Sequence, residues 1–214
     1  MNHDLTRNSV DDLLDRVAQR APTPGGGSVA ALAGALACAL GRMVAAYSIT
    51  KRTSEADRAR VEAVAGKLRR ADEMMRALVT RDAVVYEEMT AAAKARRDDA
   101  SRQAVYDRAV TAAVAVPMEI AAVAAGALST LSDFAPLASP YLLSDLGVAA
   151  VLAEATARAA RYTVVVNLGE VADAEMGDRY RGDTDRIIER CATLRDSIEA
   201  AVSGHLEKDE SERR

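Results

Sequence analysis

The segment from Ser54 to Arg96 decides the fold class. It reads SEADRARVEAVAGKLRRADEMMRALVTRDAVVYEEMTAAAKAR. Apolar side chains recur along it at alternating intervals of three and four residues, which places them on one face of an α-helix. The positions of this stripe are Val61, Val64, Leu68, Ala71, Met75, Leu78, Asp82, Val85 and Met89. The pattern predicts one long helix that packs against other helices through a continuous face.

Asp82 is a carboxylic acid at a position of the stripe that calls for an apolar side chain. The neighbouring Val84, Val85 and Met89 indicate that the apolar face continues past it. Burial raises the pKa of a carboxyl group toward neutrality, where the group can transfer protons. Asp82 is therefore a candidate general acid and base, since perturbed carboxylates cluster at functional sites. The alternative is a solvated acid beyond the end of the core face.

The rest of the chain also predicts helices. They cover about residues 9–20, 28–47, 101–131, 144–166 and 184–202, with Ser9, Ser28 and Ser144 as possible N-caps. Pro117 should kink or divide the helix that contains it. The valine run at 164–166 has strand propensity, but no partner strand is evident, so it is interpreted as buried helix. The prediction is an all-α bundle of long helices, a single domain over residues 1–204, with a disordered tail over 205–214.

Composition and charge exclude several functional classes. Hydrophobic residues make up 50% and charged residues 28% of the chain, which is typical of a globular protein. A net charge of −4 gives no reason to expect a nucleic-acid partner. The apolar stretches 29–41 and 109–131 are too short or too interrupted for membrane spans, and the first residues lack a signal-peptide pattern. We expect a cytoplasmic protein with no membrane partner.

The two cysteines, Cys38 and Cys191, lie far apart in the sequence. They form neither a disulfide framework nor a metal-ligand pattern. We therefore expect two reduced thiols and no metal site.

The stretch APTPGGGS, residues 21–28, has two interpretations. Loops rich in Pro and Gly are commonly plain connectors, with Ser28 then acting only as a helix cap. Alternatively, Gly25, Gly26 and Gly27 let a ligand approach the main chain, and the helix N-terminus beyond them offers free N–H groups to an oxygen. No Gly-Lys-Ser/Thr follows and no strand precedes, so the stretch is neither a P-loop nor a dinucleotide fingerprint.

Residues 22–44, PTPGGGSVAALAGALACALGRMV, closely resemble the opening of the formimidoyltetrahydrofolate cyclodeaminase and methenyltetrahydrofolate cyclohydrolase family. Weaker similarities follow at residues 82–86, 116–119, 144–149 and 167–168. The resemblance implies an all-helical fold, a homodimer or higher assembly, and a site near the glycines. The ligand that it implies is a tetrahydrofolate derivative as substrate, with no separate cofactor.

The resemblance also suggests roles for single residues. Asp82 matches the family's proposed acid. Lys51 matches a lysine that could hold a folate carboxylate or orient Asp82, although a lysine near a helix C-terminus is also electrostatically favourable. Ser144 and Asp145 match a Ser-Asp segment and could bind substrate, or serve only as a cap and a dipole partner. Asn167 should be buried, where it could bind the pterin or merely bridge helices.

The implied reaction is hydrolysis of 5,10-methenyltetrahydrofolate or cyclisation of 5-formiminotetrahydrofolate with loss of ammonia. The lack of a formiminotransferase domain in the chain slightly favours the hydrolysis. Departures from the family pattern at Thr50, Ala138, Ser139, Thr163 and Tyr86 keep a second hypothesis open, a diverged enzyme for another small amidine or heterocycle. A third hypothesis is a helical assembly protein without catalytic activity.

Overall fold

The computed structural model describes residues 4–212, with side chains through His205. The described residues form six α-helices: α1 (Val10–Ala18), α2 (Gly26–Ser48), α3 (Glu55–Asp98), α4 (Gln103–Phe134), α5 (Leu143–Leu168) and α6 (Ala174–Glu212). Short 3-10 turns precede α1 and α4, and two more join α4 to α5. The described part of the chain contains no strand, so the predicted all-α class is confirmed, including helix at the valine run.

Two serines begin helices where the sequence predicted. The Ser9 hydroxyl accepts a hydrogen bond from the Asp12 N–H at 3.1 Å, and the Ser54 hydroxyl accepts one from the Asp57 N–H at 3.1 Å. Acidic residues follow in both first turns, where they complement the positive end of the helix dipole. These caps fix the starts of α1 and α3.

Helices α2 to α5 form a four-helix bundle. Each packs against the next along the chain, α2 also packs against α5, and α6 covers α5 and α4. α2 and α3 are antiparallel, since Ser28 contacts Asp82 near one end and Gly41 lies against Leu68 near the other. The helices approach closely along α2, where a Cβ atom on Gly34 would lie 2.7 Å from the Met75 Cε. The core is therefore built from small residues and a few large ones.

α3 is much longer than α2, so its last part projects past the start of α2. There α3 packs against the first turns of α4, through a small cluster of Ala92, Tyr106 and Val110. The Arg96 guanidinium lies 3.9 Å from the centre of the Tyr106 ring, and the Tyr106 hydroxyl donates a hydrogen bond to Glu170. This projecting hairpin leaves a recess at its base, next to the start of α2.

α4 is continuous through Pro117, which does not divide it as the sequence suggested. Proline has no N–H, so the carbonyl of Ala113, four residues earlier, loses its usual helical partner. The Asn167 side chain replaces that partner by donating a hydrogen bond from Nδ2 to the Ala113 carbonyl at 2.6 Å. The carbonyl that Pro117 leaves without a helical donor is therefore satisfied by a side chain of α5.

Three helices, α2, α5 and α6, begin or end at other residues than the sequence predicted. α2 begins at Gly26 with Gly25 as N-cap, so Ser28 is not the cap. α5 begins at Leu143 directly from a 3-10 turn, so Ser144 lies within its first turn and makes no cap. The backbone of α6 is helical from Ala174 to Glu212, where a helix over about residues 184–202 was predicted. The boundary at 204 stays a prediction, and residues 213–214 of the expected tail lie outside the described residues.

Two helical segments are long and apolar enough to cross a membrane by length and composition, Gly26–Ser48 and Ala100–Leu137. About half of the most apolar window in each is buried within the bundle, 50% and 56% respectively. Burial of this kind is also found in core helices of soluble proteins. The expectations of a cytoplasmic location and no membrane partner stay predictions.

Candidate functional site

A cavity of about 310 Å³ lies in the recess where α2 begins. Four elements meet there: the loop before α2 with its first turn, the middle of α3, one position of α4 and the end of α5. The lining residues are Pro22, Thr23, Gly25, Gly26, Gly27, Asp82, Val85, Tyr86, Ala113, Tyr162, Thr163, Val166 and Asn167. The glycine loop is therefore one wall of a cavity, which its role as a connector alone would not require.

Asp82 lies in the wall of this cavity and is only 8% exposed. The Ser28 hydroxyl donates a hydrogen bond to its Oδ2 at 3.0 Å. Burial raises the pKa of the Asp82 carboxyl above its ordinary value, and hydrogen bonds from the Ser28 side chain and backbone oppose that rise. The interpretation of Asp82 as a solvated acid beyond the core is wrong.

Position 27 requires glycine because there is no space for a side chain there, and not because of its backbone conformation. A Cβ atom at this position would lie 2.0 Å from Asp82 Oδ1, so any side chain would displace the carboxyl group. At Gly26 the nearest contact of a Cβ would be 3.9 Å, to Thr163 Oγ1, and at Gly25 it would be 3.6 Å, to the Pro22 carbonyl. Glycines in the described residues have no positive φ angles. Gly27 lets the start of α2 lie directly against the carboxyl.

The start of α2 offers hydrogen-bond donors to the cavity. Gly25, its N-cap, has no side chain to bond the N–H groups of the first turn. The Ser28 N–H bonds the Asp82 carboxyl, which leaves the N–H groups of Gly26 and Gly27 without a partner in the helix. Ser28 is 1% exposed and lies behind Asp82, so it positions the carboxyl and does not line the cavity. An oxygen atom of a ligand is the group that such a helix end favours.

Asn167 does both things that the sequence left open. It bridges helices, because its amide bonds the Ala113 carbonyl freed by Pro117. It also lines the cavity beside Thr163. Burial and a fixed partner hold its amide in one orientation.

Several lining residues were not proposed as site residues from the sequence. Val85 and Tyr86 lie three and four residues after Asp82, so they share its face of α3. Tyr162 and Val166 lie four residues apart on α5 and are 68% and 74% exposed, which places them at the mouth of the cavity. Helical spacing from Asp82 and Asn167 was the signal that could have found them.

The other predicted site residues lie at the far end of the bundle. Lys51 is exposed in the turn after α2, while Ser144 and Asp145 lie in the first turn of α5. The 23 residues from Ser144 to Asn167 span about 34 Å at 1.5 Å per residue of helix. Within one chain, the structure brings Asp82, Ser28, Asn167 and the three glycines together and does not bring Lys51, Ser144 or Asp145 to them. The roles of those three stay predictions.

Asp82 is the only Asp, Glu, Lys, Arg or His among the residues described as lining the cavity. Arg161, the neighbour of Tyr162, is paired with Asp185 at 2.6 Å. A buried carboxyl with a raised pKa, facing a largely apolar cavity, can take up and release a proton on a bound molecule. It also provides the negative charge that a cationic ligand would need.

Comparisons with known proteins identify the family of the chain. The family model described as formiminotransferase-cyclodeaminase matches residues 9–186. The chain is 26% identical over 205 residues to the methenyltetrahydrofolate cyclohydrolase of Methylorubrum extorquens, covering 92% of this chain and 97% of that protein. It is 30% identical over 211 residues to the formimidoyltransferase-cyclodeaminase of Gallus gallus, covering 97% of this chain but only 38% of that longer protein.

A solved structure gives the same result for the fold. The crystal structure of a formiminotetrahydrofolate cyclodeaminase from Thermotoga maritima matches with a TM-score of 0.87 at 26% identity, covering 94% of this chain and 99% of that one. The relatives are named as enzymes, so the prediction of an enzyme of cyclohydrolase or cyclodeaminase type is confirmed, and the hypothesis of a purely structural assembly protein is not supported.

Proposed function

Because the chain belongs to the formiminotransferase-cyclodeaminase family, we propose that it processes the one-carbon bridge of a tetrahydrofolate derivative, with Asp82 as general acid and base. The observation that carries this proposal is the buried Asp82 carboxyl in the cavity wall, directly against Gly27. The two reactions considered are hydrolysis of 5,10-methenyltetrahydrofolate and cyclisation of 5-formiminotetrahydrofolate. Both reactions require proton transfer to or from the nitrogen and oxygen atoms that are bonded to the one-carbon unit.

In the hydrolysis, water attacks the carbon of the cationic methenyl bridge. The Asp82 carboxylate accepts a proton from that water as the new C–O bond forms, which gives a tetrahedral carbon. The protonated Asp82 then delivers the proton to one of the two bridge nitrogens as its C–N bond breaks. As the C–N bond breaks, the hydroxyl on the carbon becomes the formyl C=O and releases its proton. The products are a formyl compound and one proton, so the atoms and charge of cation plus water are conserved.

The cavity suits the cationic head of such a molecule. Its volume is near the lower limit of the roughly 300–1,000 Å³ typical of ligand pockets, so it holds the ring system rather than a whole folate. The Asp82 carboxylate would pair with the charge of the methenyl bridge. The N–H groups at the start of α2 lie where a developing oxygen atom could be stabilised.

In the cyclisation of the formimino compound, Asp82 acts first as a proton donor, whereas in the hydrolysis it acts first as a proton acceptor. The second nitrogen attacks the formimino carbon, and ammonia leaves after one further proton is taken up. The protonated Asp82 is suited to supply that proton because burial keeps the carboxyl neutral to higher pH than usual. The likeness to the Thermotoga maritima cyclodeaminase over almost the whole chain supports this second candidate.

A different small amidine or heterocycle is the remaining alternative. Thr163, one of the departures from the family pattern, lies in the cavity wall. Ala138 and Ser139 lie between α4 and α5, and the Ser139 N–H bonds the Ser48 hydroxyl at 2.8 Å, so they lie at the far end of the bundle. Within one chain, the changes at Thr163 and Tyr86 therefore touch the cavity, and those at Ala138 and Ser139 do not.

The test is the loss of methenyltetrahydrofolate absorbance with purified protein, alongside Asp82→Asn and a blank without enzyme. We expect clear acceleration by the native chain and a rate near the blank for the variant. A native rate equal to the blank would eliminate hydrolysis and leave the formimino compound, followed by ammonia release. Failure with both folates would overturn the proposal in favour of another ligand.

A further inference from the structure

The Asn167 side chain on α5 is held in one orientation by a carbonyl of α4. Its Nδ2 donates a hydrogen bond to the Ala113 carbonyl at 2.6 Å. A carbonyl oxygen can only accept, so the nitrogen of the amide, and not its oxygen, must face Ala113. That carbonyl is open to a side chain because the residue four positions later is Pro117, which has no N–H. A proline on α4 therefore fixes the direction of an amide on α5.

The oxygen of the same amide faces the cavity. The side-chain hydrogen bond described for Asn167 uses only the nitrogen. Among the described residues, Asn8 Nδ2 is the one fully enclosed side-chain N or O atom without a partner, so Asn167 Oδ1 is not enclosed. Asn167 is 9% exposed and belongs to the cavity lining, so the open space that its oxygen reaches is the cavity. The wall thus presents a hydrogen-bond acceptor of fixed direction.

This acceptor and the Asp82 carboxyl lie on different walls of the cavity. Asp82 belongs to α3 and lies against Gly27 at the start of α2, whereas Asn167 belongs to α5 and is bonded to α4. A flat molecule between these walls can be held at two points, by a group that transfers protons and by a neutral acceptor. A fixed acceptor in largely apolar surroundings selects a ligand with an N–H donor, because a ligand without one leaves the oxygen unpaired.

We infer that Asn167 Oδ1 accepts a hydrogen bond from a ring N–H or amino group of the ligand, and that Pro117 positions Asn167 to do so. The class of ligand is a flat heterocycle with an N–H donor on its edge. The inference rests on the proposed function, in which the tetrahydropterin ring supplies such donors. Asn167 then determines which ring binds, Asp82 transfers the proton, and Pro117 acts only through Asn167.

Steady-state kinetics on methenyltetrahydrofolate separates this role from a structural one. Asn167→Leu removes the acceptor and keeps a side chain of similar shape. We expect KM to rise about 10-fold with kcat nearly unchanged, because a hydrogen bond made equally in the ground state and the transition state affects binding alone. An unchanged KM would show that no ligand group reaches Oδ1, and a lower kcat at unchanged KM would place Asn167 in the chemistry; either result overturns the inference.

Pro117→Ala tests the positioning role. The restored N–H can bond the Ala113 carbonyl, which releases the amide, and an amide with two equal orientations presents its oxygen half of the time. KM should therefore rise about two-fold. In the Asn167→Leu background the same change should leave KM unaltered, and this background also keeps Asn167→Leu folded by satisfying the carbonyl. Equal effects of Pro117→Ala on KM in the two backgrounds would contradict positioning through Asn167. Pro136→Ala, in the 3-10 turn after α4, is the matched control.

The binding of two pteridines tests the acceptor without any turnover. Pterin carries an amino group and a ring N–H, whereas 1,3-dimethyllumazine has a similar bicyclic ring without an N–H. Both are fluorescent, so the anisotropy of each measures its binding to the protein. We expect the native chain to prefer pterin by about 10-fold and Asn167→Leu to lose that preference.

The two kinds of measurement separate this inference from the proposed function. Turnover of methenyltetrahydrofolate with equal binding of the two pteridines would overturn the inference alone. A preference for pterin that depends on Asn167, in a chain that turns over neither folate, would support the acceptor and overturn the proposed reaction. Absence of binding by both pteridines would overturn the class of ligand assigned to Asn167.

Discussion

Asp72 and Asp82, two buried carboxyl groups on α3, lie ten residues apart in the sequence and have very different surroundings. Asp72 is 3% exposed and accepts hydrogen bonds from Arg42 at 2.9 Å and from Arg76 at 2.7 Å. Asp82 is 8% exposed, and the hydrogen bonds described for it come from the hydroxyl and backbone N–H of Ser28, with no cation among them. The first charge is compensated by two cations, and the second faces a cavity.

The contrast shows that burial alone does not mark a functional acid. A buried charge needs compensation, and Asp72 obtains it from its own chain. Asp82 lacks such a cation, so burial dominates and the pKa of its carboxyl is raised. The carboxyl group that is open to a ligand, Asp82, is the one whose charge no cation of the chain compensates.

The largest expected effect comes from filling the space beside Asp82. Gly27→Ala should lower kcat/KM by roughly 100-fold, because a displacement of about 1 Å in a catalytic group has that order of cost. Steady-state kinetics on the folate substrate measures it. Gly126→Ala, on α4 and outside the cavity lining, is the control for a glycine-to-alanine change within a helix, because a Cβ atom there meets nothing within 4 Å. Equal losses of kcat/KM in the two variants would show that Gly27 does not act by leaving space for the Asp82 carboxyl.

Removing the compensated carboxyl should affect stability. Asp72→Asn loses the charge in two charge-assisted hydrogen bonds, and we expect a loss of about 2 kcal/mol in the free energy of unfolding. Because Arg42 and Arg76 are partly exposed, their charges can return to water, which keeps the effect below that of a fully buried pair. Urea denaturation measures the change. A variant as stable as the native chain would contradict the structural role of Asp72.

Asn167 lines the cavity like Asp82 but has a fixed partner like Asp72. Asn167→Ala should cost about 1–2 kcal/mol, because it leaves the Ala113 carbonyl without a donor. Pro117→Ala restores a helical N–H for that carbonyl, so the same Asn167→Ala change should cost less in the Pro117→Ala background. A double-mutant cycle by chemical denaturation measures this coupling. Strictly additive effects would refute the link between Pro117 and Asn167.

The smallest effect on stability is expected from replacing the uncompensated acid itself. Asp82→Asn should raise the melting temperature modestly near neutral pH, since the charged carboxylate is disfavoured by burial. The folded-state pKa is raised, so the native protein gains stability relative to the variant as pH falls through that pKa, and the difference shrinks. Thermal melts across a pH series measure it. A difference that grows at lower pH would contradict the raised pKa.

Much of the fold was predictable from sequence because helical periodicity and caps are local signals. The apolar stripe of α3 and the serines that begin α1 and α3, Ser9 and Ser54, could be identified without tertiary information. The start of α5 was not predictable in the same way. Ser144 looked like a cap, but the 3-10 turn at Pro140–Leu142 already leads into helix at Leu143. The hydrogen bond that satisfies the Ala113 carbonyl beside Pro117 was not predictable, because its donor Asn167 is far away in sequence.

The candidate site was only partly predictable for the same reason. Asp82 broke a periodic pattern, and the glycine run drew attention to Gly27. Which glycine matters follows only from the distance between Gly27 and the Asp82 carboxyl. Asp72 escaped notice because it lies beside the stripe rather than in it, and its partner Arg42 belongs to another helix. Contacts between helices decide these assignments, and a single sequence does not display them.

The most direct measurement compares Asp82→Asn and Asp72→Asn in one experiment, with methenyltetrahydrofolate turnover and urea stability recorded for both. We expect Asp82→Asn to be folded and at least as stable as the native chain but to lose about 100-fold or more of its turnover. We expect Asp72→Asn to be less stable but, where folded, to turn over substrate at a near-native rate. Retained turnover in Asp82→Asn, or equal loss of turnover in the two folded variants, would contradict the claim that the uncompensated carboxyl carries the chemistry.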